Sequence, residues 1–176
     1  DKAVAEVSVL ERCARCPHII TLLDVCKCGP RICLIFELWG KSLFDLKDEN
    51  CGFCTAPHLR MVFEQSLKAL HFIHSLDVIH TYIKTANVLV LLNTGAHVLT
   101  GDSASSPLHL KLADFGSCSV VDPTRRTHID RQTPFFRHEM RHITTEPYRA
   151  PEILFGNQEF GTAIDLWALG IMMCSL

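Results

Sequence analysis

The sequence predicts an α+β protein in which a helix and two strands precede a mainly helical region. Three observations predict this class: helical spacing of apolar residues at the start, two strand-like runs joined by a turn, and alternating leucines beyond a long helical segment. The 176 residues are 48% hydrophobic, so they can bury a substantial core. We therefore expect one globular domain or a large piece of one.

The beginning of the chain combines a helix with a pair of strands. Apolar residues recur at helical spacing up to Ala14, and Pro17 predicts the end of that helix. Strand-like runs follow at residues 19–25 and 32–38, with Gly29-Pro30 between them. Because glycine and proline favour turns, the two runs predict a hairpin.

Helices are predicted next. Ser42, with Asp45 three residues later, has the pattern of a capped helix start. Thr55 predicts the cap of a longer helix. The residues predicted to share one face of that helix are Leu59, Val62, Phe63, Ser66, Leu70 and Ile73. Residues 163–176 predict a buried core helix, since Asp165 interrupts an apolar run that is too short to span a membrane.

Two further strands are predicted on either side of an insertion. Residues 88–92 are apolar, and leucines alternate from Leu108 to Leu112. Residues 93–107, between them, are rich in Gly, Ser and Thr. We therefore expect this segment to lengthen a hairpin.

Charge and targeting patterns exclude several classes of protein. The formal net charge is −2 and the charged residues of both signs are interspersed, so no basic face for nucleic acid is expected. The sequence shows neither a signal-peptide layout nor an apolar run of membrane length. We expect an intracellular protein, in the cytoplasm or nucleus, that binds neither nucleic acid nor membranes. The oligomeric state is not predicted.

The nine cysteines allow two interpretations. The pairs Cys13-x-x-Cys16 and Cys51-x-x-Cys54 have the spacing of metal ligands, so a structural zinc ion is one alternative. No arrangement of Cys or His completes a known zinc signature, which makes zinc the less favoured interpretation. The odd count and the absence of a secretory signal argue against a disulfide framework. We expect reduced thiols that pack as small apolar side chains.

Four short motifs occur in order along the chain. They are His80-Thr81-Tyr82-Ile83-Lys84-Thr85-Ala86-Asn87, Asp114-Phe115-Gly116, Ala150-Pro151-Glu152 and Asp165-Leu166-Trp167-Ala168-Leu169-Gly170. In this order they resemble the motifs of the eukaryotic protein kinases, and the resemblance covers nearly the whole chain. A single motif would be a weak signal, whereas four in sequence are specific.

Two segments place the resemblance within one group of kinases. Tyr148-Arg149-Ala150-Pro151-Glu152-Ile153-Leu154 resembles the CMGC group. The His80-Thr81 opening of the loop and the run Phe36-Glu37-Leu38-Trp39-Gly40-Lys41-Ser42-Leu43 are most similar to the LAMMER and DYRK side of that group.

The resemblance implies a protein-kinase-like fold with part of an N-lobe and the core of a mainly helical C-lobe. Residues 1–38 would supply helix αC and two or three strands of the N-lobe. Residues 39–176 would form the C-lobe remnant, with residues 37–41 as a hinge. The activation segment would be residues 114–152.

The resemblance also implies ATP and magnesium as cofactors, and a protein as the substrate or scaffold partner. Asp114 and Asn87 would hold magnesium, because both offer the oxygen ligands that this ion prefers. Lys84 would place a positive charge near the transferred phosphoryl group.

The resemblance also implies which residues contact the nucleotide base and which residue is the glutamate of helix αC. Adenine would rest against Leu89 and bond the backbone of Glu37 and Trp39, with Phe36 behind it. Glu6 would be the αC glutamate that pairs with a strand lysine in kinases. Neither that strand lysine nor a G-x-G phosphate loop occurs in the 176 residues.

Three more residues have structural roles by the same resemblance. His80 and Phe115 are expected to pack against each other, and Asp165 to accept backbone hydrogen bonds from the catalytic loop. Thr81 stands where kinases carry the arginine that receives an activation-loop phosphate, so phosphorylation should matter less here. The candidate phosphorylation sites are Thr127, Thr133 and Thr144.

One residue departs from the kinase pattern in a way that affects chemistry. Kinase catalytic loops carry an aspartate that accepts the substrate hydroxyl proton, where this chain has Tyr82. A phenol is a hydrogen-bond donor and a poor base near neutral pH. Loss of a positioned general base costs about 10²- to 10⁴-fold in rate. We therefore expect a serine/threonine kinase family domain with impaired catalysis.

Three alternatives stay open at the level of sequence. One alternative is a pseudokinase that acts as a nucleotide-binding or purely protein-binding scaffold. Another is a decayed gene product without a stable fold. If Tyr82 is a sequencing or allelic change, the parent is an ordinary serine/threonine kinase.

Overall fold

The structure is a computed structural model that describes residues 2–48, 55–92, 108–120, 144–157 and 160–176. Its described helices are α1 Lys2–Cys13, α2 Leu43–Asp48, α3 Ala56–Ser75, α4 Pro151–Leu154 and α5 Ala163–Ser175. Its described strands are β1 Leu22–Cys28, β2 Arg31–Phe36, β3 Lys41–Ser42, β4 Val78–Ile79, β5 Val88–Leu92, β6 Leu108–Leu112 and β7 Ser119–Val120. Single 3-10 turns span Thr85–Asn87 and Glu146–Tyr148.

The described strands form three small antiparallel sheets. β1 pairs with β2, β5 lies between β3 and β6, and β4 pairs with β7. An isolated parallel bridge from Ile19 to Leu112 connects the segment before β1 to the end of β6. This bridge attaches the first part of the chain to the strand that leads into the Asp-Phe-Gly motif.

Helix α3 organises the core. It packs along β6 and α5, and its buried side chains include Val62, Leu70 and Ile73. The Gln65 side chain closes an edge of β6, because its amide donates to Leu108 O at 2.7 Å and accepts from Leu110 N at 2.9 Å. Such pairing removes the cost of burying free backbone groups at the helix and sheet contact.

Most elements agree with the sequence predictions, with shifted boundaries. The two hairpin strands were predicted at residues 19–25 and 32–38 but run over Leu22–Cys28 and Arg31–Phe36. The predicted cap at Ser42 is confirmed, since Ser42 Oγ accepts from Asp45 N at 3.1 Å and Asp45 accepts from Ser42 N at 3.3 Å. The predicted insertion at residues 93–107 lies outside the described residues.

Three details of the helices differ from the predictions. The Thr55 hydroxyl bonds His58 Nδ1 at 3.0 Å instead of capping a backbone amide. Phe63 is 42% exposed, because it lies at the margin of the buried face of α3. Helix α5 buries only one face, and its Leu166 and Trp167 side chains are about half exposed.

Candidate active site

The catalytic-loop motif is anchored by one buried carboxylate. Asp165, in the first turn of α5, is fully buried and accepts hydrogen bonds from His80 N at 2.8 Å and Thr81 N at 2.9 Å. His74 Nε2, near the end of α3, donates to the same carboxylate at 2.9 Å. A buried charge requires such donors, so Asp165 fixes where α3, α5 and the loop meet. This geometry is the one predicted for Asp165.

Thr81 adopts a conformation that β-branched residues rarely accept. Its φ is +64°, in the left-handed region. Its amide is held by Asp165, and its hydroxyl donates to Ser117 O at 2.7 Å. These two bonds hold the strained residue in place and connect the loop to the residue after Gly116.

The His80 ring connects the loop to the Asp-Phe-Gly motif. Its Nε2 donates to Ala113 O at 3.1 Å, and its Nδ1 accepts from Tyr82 N at 3.2 Å. The ring meets that of Phe115 edge to face, with centroids 4.7 Å apart, as predicted. Burial lowers the pKa of His80, although Asp165 and Asp114 partly oppose the shift. His80 is therefore a neutral imidazole with its proton on Nε2.

The predicted chemical residues of the loop lie close together. Asn87 Nδ2 donates to Tyr82 O at 2.9 Å and to Asp114 Oδ2 at 3.2 Å. Lys84 Nζ lies 4.2 Å from the centroid of the Tyr82 ring, within the range of a cation–π contact. Asp114 has a φ of +67° and is exposed. Four of the predicted site residues thus form one polar cluster.

Glu6 also reaches this cluster. A Cβ placed on Gly116 would lie 3.3 Å from Glu6 Oε2 and 3.5 Å from Asp114 Oδ1, so the two carboxylates approach the same glycine. Burial and then the charge of Asp114 raise the pKa of Glu6. The structure therefore brings the Glu6 side chain of α1 to the Asp-Phe-Gly motif, while its role as the αC glutamate stays a prediction.

Three of the residues predicted to surround adenine contribute to the core of the domain. Phe36, Trp39 and Leu89 are partly buried and pack against the main core. Leu38, between the two hinge residues, is 99% exposed. The Glu37 side chain turns inward, where it accepts a hydrogen bond from Thr21 N at 2.7 Å.

Lys111 is a residue whose role the sequence prediction missed. It is 7% exposed on β6 and forms an ion pair with Glu37. Its ammonium also lies 3.3 Å from Ile19 O and 3.3 Å from Thr21 Oγ1. It stands 4.6 Å from the Trp39 ring centroid. No local signal indicated this role, because the alternation of leucines with His109 and Lys111 predicts that the lysine lies on the exposed face of β6.

This ion pair controls the charge at the hinge. Desolvation acts to raise the pKa of Glu37, but hydrogen bonds from Lys111 and Thr21 more than offset it, and the pKa lies below its ordinary value. The Glu37 carboxylate therefore stays ionised and bonded to β6.

The remaining predicted residues are either buried or outside the described residues. Thr144 is 3% exposed, so its hydroxyl is not presented for phosphorylation in this structure. Thr127, Thr133, Cys51 and Cys54 lie outside the described residues. Cys13 and Cys16 are buried, and burial raises the pKa of Cys13 to about 11, which favours the thiol over a thiolate ligand.

Within the described ranges, no cluster of three or more His, Cys, Asp or Glu side chains is placed to hold a metal ion. None of the helices found there is long and apolar enough to cross a membrane.

Comparison with known proteins decides the family. A family model for the protein kinase domain matches residues 1–176. This chain belongs to the protein kinase family. The match confirms the predicted kinase-like α+β fold class, while the lobe boundaries at residues 38 and 39 stay a prediction.

Curated relatives refine the group to which the kinase domain belongs. Cell division control protein 2 homolog 3 of Trypanosoma brucei brucei is 32% identical over 174 residues, which cover 99% of this chain and 48% of that protein. Homeodomain-interacting protein kinase 4 of Mus musculus and of Homo sapiens is 32% identical over 161 residues, with 90% of this chain and 22% of each relative covered. The kinase domain is a CMGC-like serine/threonine kinase domain. The chain spans about half the length of the Trypanosoma relative and 22% of the length of the mouse relative.

The residues present suit the magnesium that protein kinases generally use with ATP. Asn87 Nδ2 donates hydrogen bonds to Tyr82 O and Asp114 Oδ2, which leaves the amide oxygen of Asn87 available. Together with the exposed Asp114 carboxylate, this gives two hard oxygen donors of the kind that magnesium prefers.

The buried His80 predicts a loss of stability at mildly acidic pH. Because burial lowers its folded-state pKa, unfolding takes up a proton once the pH falls below the unfolded value of about 6.5. Its contribution is therefore complete above that pH and is lost as the pH decreases through the folded pKa. Urea unfolding at about pH 7.5, 6.5 and 5.5 should show a pH slope that is smaller in His80→Gln, by up to about 1.4 kcal/mol per pH unit.

His71→Gln is the matched control, because His71 is exposed on α3. It should keep the pH slope of the natural protein. An unchanged slope in His80→Gln would contradict the account of a buried neutral imidazole.

The Lys111 and Glu37 pair predicts strong energetic coupling. Lys111→Met removes the cation and leaves a carboxylate that is only 22% exposed without its main partner. We expect a loss of about 2 to 3 kcal/mol in the free energy of unfolding, less than for a fully buried pair. A double-mutant cycle with Glu37→Gln, measured by urea unfolding, should give a coupling energy of about 1 to 2 kcal/mol. Additive effects of the two substitutions would show that the pair does not stabilise the hinge.

Proposed function

We propose that this domain binds ATP with magnesium but transfers phosphate to protein serine or threonine hydroxyls only slowly, because Tyr82 has replaced the proton acceptor. The observation that carries this proposal is the Tyr82 side chain within the polar cluster, with Lys84 Nζ 4.2 Å from its ring centroid. Residues 1–38 would act as the N-lobe part, residues 39–176 as the C-lobe part and residues 114–152 as the activation segment.

Tyr82 impairs the transfer of a proton from the substrate. In a kinase, the residue at this position accepts the proton of the attacking hydroxyl. A tyrosine hydroxyl at neutral pH already carries its own proton, so it cannot take another from the substrate with useful driving force. We therefore expect Tyr82 to slow activation of the substrate hydroxyl and to leave nucleotide binding unchanged.

Tyr82 also affects the residue expected to stabilise the phosphate. Lys84 would place its charge beside the transferring phosphoryl group, yet its ammonium lies over the Tyr82 ring. A cation held over an aromatic face gains about 0.5 to 1 kcal/mol at exposed sites. Tyr82 therefore opposes transfer in two ways: it lacks basicity, and it competes for the lysine.

The residues expected to bind magnesium and adenine are retained. Asn87 and Asp114 stay in contact at 3.2 Å and offer oxygen ligands for magnesium. Phe36, Trp39 and Leu89 are partly buried side chains that would contact adenine, and the ion pair between Lys111 and Glu37 ties the predicted hinge to β6. These features support nucleotide binding by the full protein.

Restoring the acid tests the proposal. Tyr82→Asp should raise phosphate transfer from ATP to a protein substrate such as casein by about 10²- to 10⁴-fold, the range for a positioned general base. The measurement is transfer of labelled γ-phosphate with magnesium, using the longest product of the reading frame that contains these residues.

Tyr82→Phe is the matched control, since it keeps the ring over Lys84 and removes the hydroxyl. It should stay as slow as the natural protein. Rapid transfer by the natural protein would refute the proposal. If Tyr82→Asp binds ATP yet gains no activity, the scaffold alternative is favoured.

A further inference from the structure

Two cysteines face each other across the first hairpin. In the antiparallel pairing of β1 with β2, Cys26 and Cys33 are direct register partners. Directly opposed residues project from the same face of a sheet. Their Cα atoms are separated by about 4.5 or about 5.5 Å, depending on the pair type. Both spacings fall within the range of roughly 4.4 to 6.8 Å that a disulfide bridges.

The hairpin holds this register firmly. Cys28 pairs with Arg31, so Gly29 and Pro30 form a two-residue loop, and Gly29 has the positive φ of +61° that such a loop requires. Pairs on both sides of the two cysteines continue the ladder. A bond between the thiols therefore needs no change of register.

The thiols of Cys26 and Cys33 are accessible to solvent, unlike those of Cys13 and Cys16. Cys26 is exposed and Cys33 is partly exposed, whereas Cys13 and Cys16 are buried. Local desolvation and then the neighbouring Cys33 raise the pKa of Cys26. Because the thiolate is the attacking species, the pair should react slowly at neutral pH and faster as the pH rises.

We propose that Cys26 and Cys33 form a redox modification site, which closes to an intrachain disulfide when it meets a small-molecule disulfide of the oxidised glutathione class. The Cys26 thiolate attacks one sulfur of the oxidant, so a mixed disulfide forms and one small thiol leaves. The Cys33 thiolate then attacks Cys26 Sγ, and the second small thiol leaves. Overall, two protein thiols lose two electrons and two protons, and one disulfide is reduced to two thiols.

The crosslink would fix the strands that lead into the hinge. β2 ends at Phe36, immediately before Glu37. The site is nevertheless chemically independent of Tyr82 and of phosphate transfer, so it can be tested without any assay of activity.

Tryptic mapping can resolve this site sharply. Cleavage after Arg15, Lys27, Arg31 and Lys41 places Cys26 in residues 16–27, Cys28 in residues 28–31 and Cys33 in residues 32–41. After treatment of the folded chain with oxidised glutathione, non-reducing mass spectrometry should find residues 16–27 joined to residues 32–41. Fragmentation should place the bond on Cys26 and not on Cys16. Dithiothreitol should reverse it.

The rate and three variants make the test decisive. Below the pKa of the thiol, the rate should increase up to about tenfold per pH unit. Cys28→Ser should keep the crosslink, because Cys28 faces Arg31. Cys26→Ser should abolish it, and Cys33→Ser should stop at the mixed disulfide on Cys26. Equal crosslinking of Cys28 to Cys33, or a stable mixed disulfide on Cys26 in the natural protein, would overturn the proposal.

Discussion

The Asp165 carboxylate is the interaction on which the site depends. It is fully buried and satisfied by two backbone amides of the catalytic loop and by His74. Because a buried carboxylate without donors costs several kcal/mol, the loop, α3 and α5 must meet in this one arrangement. The same bonds stabilise the left-handed conformation of Thr81. Residue 82 therefore faces the cluster whichever side chain it carries.

This anchoring explains why one substitution can separate binding from chemistry. The backbone around Tyr82 is fixed by His80 and Asn87, whose side chains bond Tyr82 N and Tyr82 O respectively. Asn87 also reaches Asp114, so the two predicted magnesium ligands are positioned without the residue 82 side chain. A change at residue 82 alters proton acceptance and the environment of Lys84, while the scaffold that holds the other groups persists.

The sequence predicted the parts of the fold that local patterns and motifs encode, and it missed contacts between distant residues. Helices α1 and α3, the capping pair at Ser42 and the role of Asp165 follow from spacing or motif. The ion pair of Lys111 with Glu37 joins residues 74 positions apart, which no local pattern specifies. Strand β1 extends to Cys28 although Lys27 interrupts the apolar run, because every residue from Leu23 onward is exposed and polar side chains cost nothing there. The partnership of Cys26 with Cys33 depends on the register of the hairpin, which a predicted strand ending at residue 25 does not contain.

The central claim is that the loop has lost proton acceptance and kept nucleotide binding. The most direct test is isothermal titration calorimetry of ATP with magnesium, comparing the natural full-length protein with Tyr82→Asp. The account predicts dissociation constants that agree within about tenfold, a difference of less than about 1.4 kcal/mol in binding free energy. It also predicts that Asp114→Ala weakens the magnesium-dependent part of binding in both backgrounds. Binding by Tyr82→Asp together with none by the natural protein would contradict it.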